Sequence, residues 1–559
     1  MNYFEELIEY IKKEKPTKKK LNNKKMELCG LLKIKNIPTD IEVFCHAKQK
    51  DLEILKKYLV TKPTRTISGV AVIAVMSEPR PCPHGRCTYC PGGPDSEFGN
   101  VPQSYTGNEP STMRGIRNNY DAYRIVFNRL EQYIVLGQNP EKAEVIVMGG
   151  TFLSFDKEYK ENFIRNVFKA MNDFSKEFYV SGQIDIEKFK EYFGLPGKVH
   201  DKKRADMIKK KVLELKENNI KTLQEEQRIN ETAQIRCVGL TLETKPDWGL
   251  LEQGNEMLNY GVTRVELGIQ TTYDSVLKSV NRGHGNKEAI ESIKTLKDLG
   301  FKLNFHMMPG LPGVDKDKDI HSLKELFKNP DYMPDMLKVY PTLVMPGTPL
   351  YSDYKKGLYT PMSTNEAAEI IVEMKKIVPK YCRIMRIQRD IPTKFTSAGV
   401  DRTNFRQYIE KLQAKKGVKC HCIRCREIKN DEITGEPLLE IIEYDSSHGK
   451  EFFISIRDEA DKLLGFCRLR FVGKSLRSEI TTNSAIIREL HVYGTAVALK
   501  AKGDVQHKGF GRQLMEKAEE ICKENNKEKL LVISGIGVKE YYKKLGYSND
   551  GPYVSKRLN

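Results

Sequence analysis

Cys82, Cys87 and Cys90 stand in the spacing C-x4-C-x2-C, in a loop rich in proline and glycine that follows an apolar run at 67–76. Thiolate is the usual protein ligand of iron–sulfur clusters, and three on one short loop can hold three irons of a 4Fe–4S cube. The fourth iron then has no protein ligand. It is free to chelate the amino and carboxylate groups of S-adenosylmethionine, whose one-electron reduction yields a 5′-deoxyadenosyl radical. A plant-type ferredoxin shares this spacing but needs a fourth cysteine, and the next one, Cys237, lies in another predicted strand. A zinc site also needs a fourth ligand, for which His84 inside the loop is available.

A second set, Cys420-x-Cys422-x2-Cys425, has the density of a structural zinc site, although His421 is too close in sequence to complete it easily. A second iron–sulfur cluster and free thiols are the alternatives. The expected role is to pin a linker between two domains. With 12 cysteines spread over 559 residues, a disulfide framework is excluded as the organising principle.

Gly149-Gly150-Thr151 follows the apolar run 144–148 directly. It offers main-chain groups to the methionyl amine, although a glycine pair is also an ordinary tight turn. Glu243 and Gln270 stand at predicted strand ends, as cofactor contacts or as polar rim. Near the C-terminus, Gln506-x2-Gly509-x-Gly511-Arg512 follows a strand and opens a helix, with Phe510 between the glycines. Bare amides at a helix N-terminus, with no side chain in the way, bind pyrophosphate. With RELHVYG before it and YYKKLGY after it, this segment resembles the GCN5-related N-acetyltransferase fold. There the strand Glu489-Leu490-His491-Val492 would pair with the pantetheine of acetyl-CoA, and Tyr542 would sit near the thioester. Tyr542 also reads as an amphipathic core tyrosine.

These groups need elements to hold them. Six short apolar runs (67–76, 144–148, 237–244, 264–271, 302–310 and 337–347), separated by helix-length segments, predict a parallel sheet of βα units. Their loops carry the cysteine cluster, GGT, ETKPD, GIQTT and MPGLPG, and in βα barrels such loops carry the chemistry. The expected architecture is α/β multidomain: a partial (βα)6 barrel plus an α+β acetyltransferase-like domain, with a basic helical N-terminal region. The expected boundaries are 1–66 for the basic region, 67–385 for the barrel, 386–430 for a cysteine-bearing linker and 431–559 for the acyl-CoA domain. The lysine-rich stretch 198–232 reads as an exposed helical insertion. Lys and Arg total 93 against 75 Asp and Glu, a net +18. That surplus suits a polyanionic partner, and Lys18, Lys19, Lys20, Lys24 and Lys25 are candidate phosphate contacts. The chain has neither a secretory signal nor an apolar run of about 18 residues, so no membrane partner and a cytoplasmic location are expected.

CPHGRCTYCPGGPDS, QSYTGNEPSTMRGIR, EVIVMGGTF, VTRVELGIQT, NRGH, HMMPGLPG, KVYPTLVMPGT, RIQRDIP, RELHVYG and QHKGFGRQLMEKAE, in this order over nearly the whole chain, resemble the catalytic subunit of Elongator and its stand-alone archaeal and bacterial relatives. The resemblance implies radical S-adenosylmethionine chemistry at C5 of the wobble uridine of tRNA. The radical takes a hydrogen from the acetyl methyl of acetyl-CoA, the carbon radical adds to C5, an electron and a proton are lost, and thioester hydrolysis leaves 5-carboxymethyluridine. It implies Cys82, Cys87 and Cys90 as cluster ligands. Lys142, Glu489 to Val492, Phe510 to Arg512 and Tyr542 would be acetyl-CoA contacts, with Lys142 and Tyr542 nearest the reaction. The tRNA partner would be read at its anticodon stem-loop. The electron donor is left open, and other Elongator-type subunits are compatible but not required. Eukaryotic relatives have a longer gap between the first two cluster cysteines and no counterparts of Cys422 and Cys425, so zinc belongs to part of the family. The competing readings are a protein lysine acetyltransferase, for which acetyl use would need a peptide instead of tRNA, and an RNA-binding scaffold with a structural cluster.

Overall fold

A computed structural model describes residues 2–61, 69–197, 201–429, 431–493 and 509–558. Among the described residues, no helix is long and apolar enough to cross a membrane. The chain divides into two compact units, one of residues 1–73, 122–144 and 162–238, the other of 74–121, 145–161 and 239–559.

Seven strands lie side by side in chain order in one sheet. They are β1 (Ala71–Met76), β2 (Lys142–Met148), β3 (Arg236–Thr244), β4 (Arg264–Gln270), β5 (Lys302–Met307), β6 (Met336–Val339) and β7 (Arg383–Arg386). From β3 onward each neighbouring pair is parallel. Parallel neighbours need a crossover, here helical, so the sheet curls as an open half-barrel. The six expected strands are present. The seventh, RIMR, has two arginines in four residues and sits at the sheet edge, where one side needs no apolar cover.

In the first unit the N-terminal region is helical, as expected: Tyr3–Glu14, Lys18–Leu31, Asp40–Cys45 and Leu52–Leu59. Asn2 with Glu5 and Thr39 with Glu42 form capping boxes that satisfy the first orphan amides of two of these helices. The lysine run is put to mixed use. Lys25 is buried on Asp40 at 2.6 Å, Lys18 also reaches Asp40 and Lys24 pairs with Glu27. Lys19 and Lys20 are exposed. A knot of rings (Phe127, Phe174, Phe178, Phe189, Phe193) forms the apolar centre of the helices that follow. The lysine-rich insertion includes the helix Lys202–Glu217, in which Val212 is the one buried residue.

The second unit also holds the C-terminal sheet. Its strands are β8 (Leu438–Ser446), β9 (Gly449–Arg457), β10 (Leu463–Phe471), β11 (Ser484–Val492), β12 (Lys529–Val532), β13 (Ser548–Asp550) and β14 (Tyr553–Arg557), in the order β8-β9-β10-β11-β12-β14-β13. The first four are antiparallel, β12 joins β11 in parallel, and the helix Phe510–Glu524 packs Leu514, Met515, Ala518 and Ile521 into the core.

Inside this unit a fully buried charge network ties the C-terminal sheet to the barrel. Arg488 on β11 grips Asp335, just ahead of β6, with two bonds of 2.6 and 2.7 Å, and also reaches Glu451 at 2.9 Å. Asp335 further accepts the main-chain N–H of Leu303 on β5. Arg470 bonds Asp298 at 2.6 Å and Glu451 at 3.0 Å, and Arg468 bonds Glu489 at 2.9 Å. Lys297, pushed down to about 7 by burial, donates to the main-chain oxygens of Tyr332 and Met333. Three arginines (Arg468, Arg470, Arg488) thus face four carboxylates (Asp298, Asp335, Glu451, Glu489), with Lys297 buried beside them. Removing one partner of such a pair leaves a buried charge uncompensated, at a cost of about 3–5 kcal/mol. Asp335→Ala is therefore expected to lower the unfolding free energy by about that much. In thermal melts it should fall well below Lys450→Ala, which breaks only the exposed pair with Glu443.

Candidate active site and metal centres

The cysteine loop leaves β1 and is held from three sides. Arg86 donates to the main-chain oxygens of Cys90 and Pro91, and so folds the loop on itself. The turn at Gln103 and Ser104 supplies the second side. The Ser104 N–H points at Cys90 Sγ at 3.2 Å, and Cys90 donates to Gln103 Oε1 at 3.1 Å. Ser104 holds φ +73, a left-handed conformation that a non-glycine residue adopts at a cost of order 1–3 kcal/mol. The third side is the segment Asn281-Arg282-Gly283-His284. Asn281 Nδ2 donates to Arg86 O, and the guanidinium of Arg282, 8% exposed, donates to Gly268 O and reaches Cys87 Sγ at 3.8 Å. A Cβ on Gly283 would lie 2.4 Å from His84, so only glycine lets this segment close on the loop.

Gly149 and Gly150 both have positive φ. A Cβ on Gly149 would meet Ser77 Oγ at 2.2 Å and one on Gly150 would meet Gln103 at 3.0 Å. The glycine pair therefore lets the chain's own segments close up. Thr151 Oγ1 lies 3.5 Å from Cys82 Sγ, which joins the GGT turn to the cysteine loop. His84 Nε2 lies 3.2 Å from Cys87 Sγ, and burial, then Lys245 and Arg282, pushes its pKa down to about 4, so it is neutral near pH 7.

The donor set fits a cube better than a single ion. Among the described residues, Cys82, Cys87 and Cys90 are not within 4.8 Å of one another, whereas Cys420, Cys422 and Cys425 are. Thiolates on one tetrahedral ion, with bonds near 2.3 Å, stand about 3.8 Å apart. Corners of a cube stand further apart. Burial pushes Cys90 up to about 11, so its thiol ionises only beside positive charge, which iron supplies.

Glu243 stands one residue before the end of β3, and Gln270 ends β4. Gln270 sits at φ +71. Glu243 accepts from Tyr105 OH at 2.9 Å and lies 3.6 Å from Lys338 Nζ. Lys338 itself is bonded to Glu266, which also meets His306 Nε2 at 2.8 Å. Burial alone would raise the pKa of Glu266, but Lys338 and His306 outweigh it and hold the carboxyl well below its usual range. Lys142 opens β2 and Gly149 follows its end, so the two lie at opposite ends of one strand, about 20 Å apart.

In the C-terminal sheet, β11 pairs with β12 only from Ser484 to Ile487. Among the described residues, its far half, Glu489-Leu490-His491-Val492, is paired on the β10 side alone. The main-chain edge facing β12 is left as a notch into which an extended amide chain can pair. The carboxylate of Glu489 is taken by Arg468, so this segment offers its backbone to a ligand. Gly509 caps the following helix at φ +87, Phe510 is buried and Arg512 is exposed. Gln506 lies outside the described residues. Tyr542 is buried, with burial first and then Cys467, Tyr541 and Glu489 raising its pKa. Its neighbour Tyr541 is the tyrosine whose hydroxyl lies over Gly511.

The Cys420 segment spans the seam between barrel and C-terminal sheet. Ile423 N donates to Cys382 O just before β7, Arg383 pairs with Glu427 at 2.7 Å, and Ile428 N donates to Leu463 O of β10. The three thiols match a single tetrahedral ion, and His421 points elsewhere, 4.0 Å from Asp461.

Sequence reasoning passed over Arg282, Ser104, Tyr541 and the group around Lys338. NRGH and QSYTG carried the resemblance without a role, and a glycine beside a lone arginine was the signal available.

The Radical SAM superfamily model matches residues 80–326, the Radical_SAM C-terminal domain matches 334–414, and the Acetyltransferase (GNAT) family matches 422–547. A half-barrel with an open-iron cysteine loop, joined to an acyl-CoA notch, defines a radical S-adenosylmethionine enzyme of acyl transfer. The chain is 42% identical to "tRNA uridine(34) acetyltransferase" of Methanocaldococcus infernus, over 99% of this chain and 98% of the other. It is 40% identical to "Elongator complex protein 3" of Saccharomyces cerevisiae, over 90% and 86%. The solved structure of archaeal Elp3 from Methanocaldococcus infernus, lacking its N-terminus, superposes with a TM-score of 0.71 at 38% identity, over 88% of this chain and 100% of the other. The chain belongs to the Elongator complex protein 3 family. Its cofactors are S-adenosylmethionine and a 4Fe–4S cluster, and its acyl donor is acetyl-CoA.

Two measurements test the metal centres. Arg282 is a buried cation beside a ligand thiolate, so Arg282→Gln should lower the cluster's reduction potential by about 60 mV or more, the shift that corresponds to a tenfold change for one electron. An EPR-monitored redox titration reads it. Purified protein should carry one zinc per chain, and Cys422→Ser should lose that zinc in metal analysis while keeping the cluster's iron.

Proposed function

We propose that this enzyme carboxymethylates C5 of uridine 34, the wobble base of tRNA, with acetyl-CoA as the carbon source. The observation that carries this reading is that one compact unit holds both the open-iron cysteine loop and the acyl-CoA notch. Relatives named for tRNA uridine(34) support it. Uracil C5 carries no activating group, so polar alkylation there is hard. An amine acetyltransferase would need the notch alone and would leave the barrel without work.

When bound, the cluster and S-adenosylmethionine supply a 5′-deoxyadenosyl radical able to take hydrogen from the acetyl methyl. Cys82, Cys87 and Cys90 hold the cluster. Gly149, Gly150, Thr151 and Gln270 line the S-adenosylmethionine side. The edge of Glu489 to Val492 takes the pantetheine, and Gly509 to Arg512 take the pyrophosphate. Family likeness adds Tyr542 near the acyl group and Lys142 as an acetyl-CoA contact at the end of β2 away from the glycine pair. Exposed lysines such as Lys19, Lys20 and those of the helix Lys202–Glu217 contact tRNA phosphates. The target lies in an anticodon loop, already unpaired, which avoids most of the unstacking cost of a few kcal/mol. A zinc ion on Cys420, Cys422 and Cys425 fastens the seam. The setting is the cytoplasm, with an external electron donor, and other Elongator-type subunits are compatible but not required.

The test is an anaerobic reaction of reconstituted protein with S-adenosylmethionine, reductant, tRNA and methyl-deuterated acetyl-CoA, read by mass spectrometry. Expected are deuterium in 5′-deoxyadenosine and a two-deuterium carboxymethyl group on uridine 34. Unmodified tRNA with unlabelled 5′-deoxyadenosine, from protein with its cluster in place, would overturn the reading.

A further inference from the structure

The barrel lumen is lined by polar side chains on four adjacent strands. On β3, Thr241 and Glu243 alternate with Leu240 and Leu242. On β4, Arg264, Glu266 and Gln270 alternate with Val265, Leu267 and Ile269. On β5, Asn304 and His306 alternate with Leu303, Phe305 and Met307. Lys338 follows on β6, between Leu337 and Val339. The register sets Glu243 beside Glu266, Glu266 beside Asn304, and His306 beside Lys338, so these groups share one face of the sheet. Side-chain exposure rises from Glu266 at 0% through Lys338 at 8% to Glu243 at 14% and His306 at 16%. Glu266 is the floor, and Lys338 and Glu243 are nearer the opening. Asn304 is fully buried, yet neither end of its carboxamide has a partner. A polar amide with nothing to bond, inside a polar lumen, marks a place for a ligand or its water.

The chemistry of the lining narrows that ligand. Glu243, Glu266 and His306 are close enough to hold a metal ion, but the ammonium of Lys338 is already bonded to Glu266 and 3.6 Å from Glu243. That cation makes a second one unfavourable. Two carboxylates likewise disfavour a phosphate or a carboxylate. What remains is a neutral group with a donor next to an acceptor. The imide edge of uracil is such a group, with N3–H flanked by carbonyl oxygens. Cytosine would turn a lone pair toward the carboxylate and an amino group toward the ammonium, and both contacts are repulsive. Tyr340, edge-on to His306 with ring centroids 5.5 Å apart, adds an aromatic surface beside the pair.

We propose that Glu243 and Lys338 read the imide edge of the target base, Glu243 accepting from N3–H and Lys338 donating to the C4 carbonyl oxygen. This rests on the uridine reading above. It assigns to the substrate a carboxylate that its strand-end position alone would give to the cofactor. Glu266 and His306 fix the ammonium from below, so the donor is in place before the base arrives.

The test uses the wild-type holoenzyme and tRNAs that differ only at position 34: uridine, 3-methyluridine or cytidine. Modification is read by mass spectrometry and tRNA affinity by filter binding. Uridine 34 is expected to be modified. The 3-methyl analogue should lose about 100-fold or more in rate, since a buried acceptor loses its donor, while tRNA affinity changes little. In Glu243→Gln, whose carboxamide can turn either its oxygen or its amino group inward, the preference for uridine over cytidine should fall at least tenfold, with iron content and melting temperature as checks on the fold. Equal modification of uridine and 3-methyluridine would overturn the base-reading proposal and leave the uridine reading standing. Absence of modification on uridine itself would remove both.

Discussion

A carboxylate out of reach of water must find donors for its lone pairs inside the protein, and Asp335 takes them from two domains at once. Arg488 comes from the C-terminal sheet and the Leu303 amide from the barrel. Three residues beyond Asp335, β6 carries Lys338, and next to Arg488 stands Glu489, the start of the half-paired edge of β11. The barrel lumen and that edge are therefore both indexed to one pair of oxygens. Hydrophobic packing would hold the sheets together about as well, since buried ion pairs roughly break even against apolar replacements. Direction is what the charges add: a bidentate Arg–Asp pair fixes angle as well as distance.

The same logic of placing one ion where another will need it recurs at smaller scale. Arg282 lies against the thiolate side of the cysteine loop, and Lys338 sits between carboxylates in the lumen. Each is largely shielded from water, so each is screened less than a surface charge. The scaffolding that keeps them there is mostly main chain. Gly268 O takes Arg282, and the strand register brings His306 and Lys338 side by side.

Much of this was legible in the sequence, for definite reasons. Metal chemistry fixes the spacing of Cys82, Cys87 and Cys90, and glycines at 509 and 511 leave room at a helix start. Apolar runs betray β1 to β6 because a parallel sheet is covered by helices. What stayed hidden obeys the same alternation rule with a different partner. Arg468 and Arg470 stand two apart on β10 and Arg488 lies on the neighbouring β11, charges that a sequence would assign to a face toward water, yet they face Asp298, Asp335 and Glu451 of other segments. Glu266 and Asn304 likewise read as a solvent face and turn out to line a lumen. Periodicity gives the face of a strand but not what the face meets. β7 was missed because an edge strand with two arginines lacks the apolar run that marks its neighbours.

The half-paired β11 has a consequence of its own. Where β12 departs after Ile487, the strand's outer N–H and C=O groups stand, among the described residues, in an unfinished ladder. Unfinished ladders recruit strands from other molecules and are where sheet proteins begin to aggregate. The pantetheine arm of acetyl-CoA, with its two amides, is an extended chain of the kind such an edge can pair with. By mass action, any ligand that completes this ladder would also stabilise the native sheet.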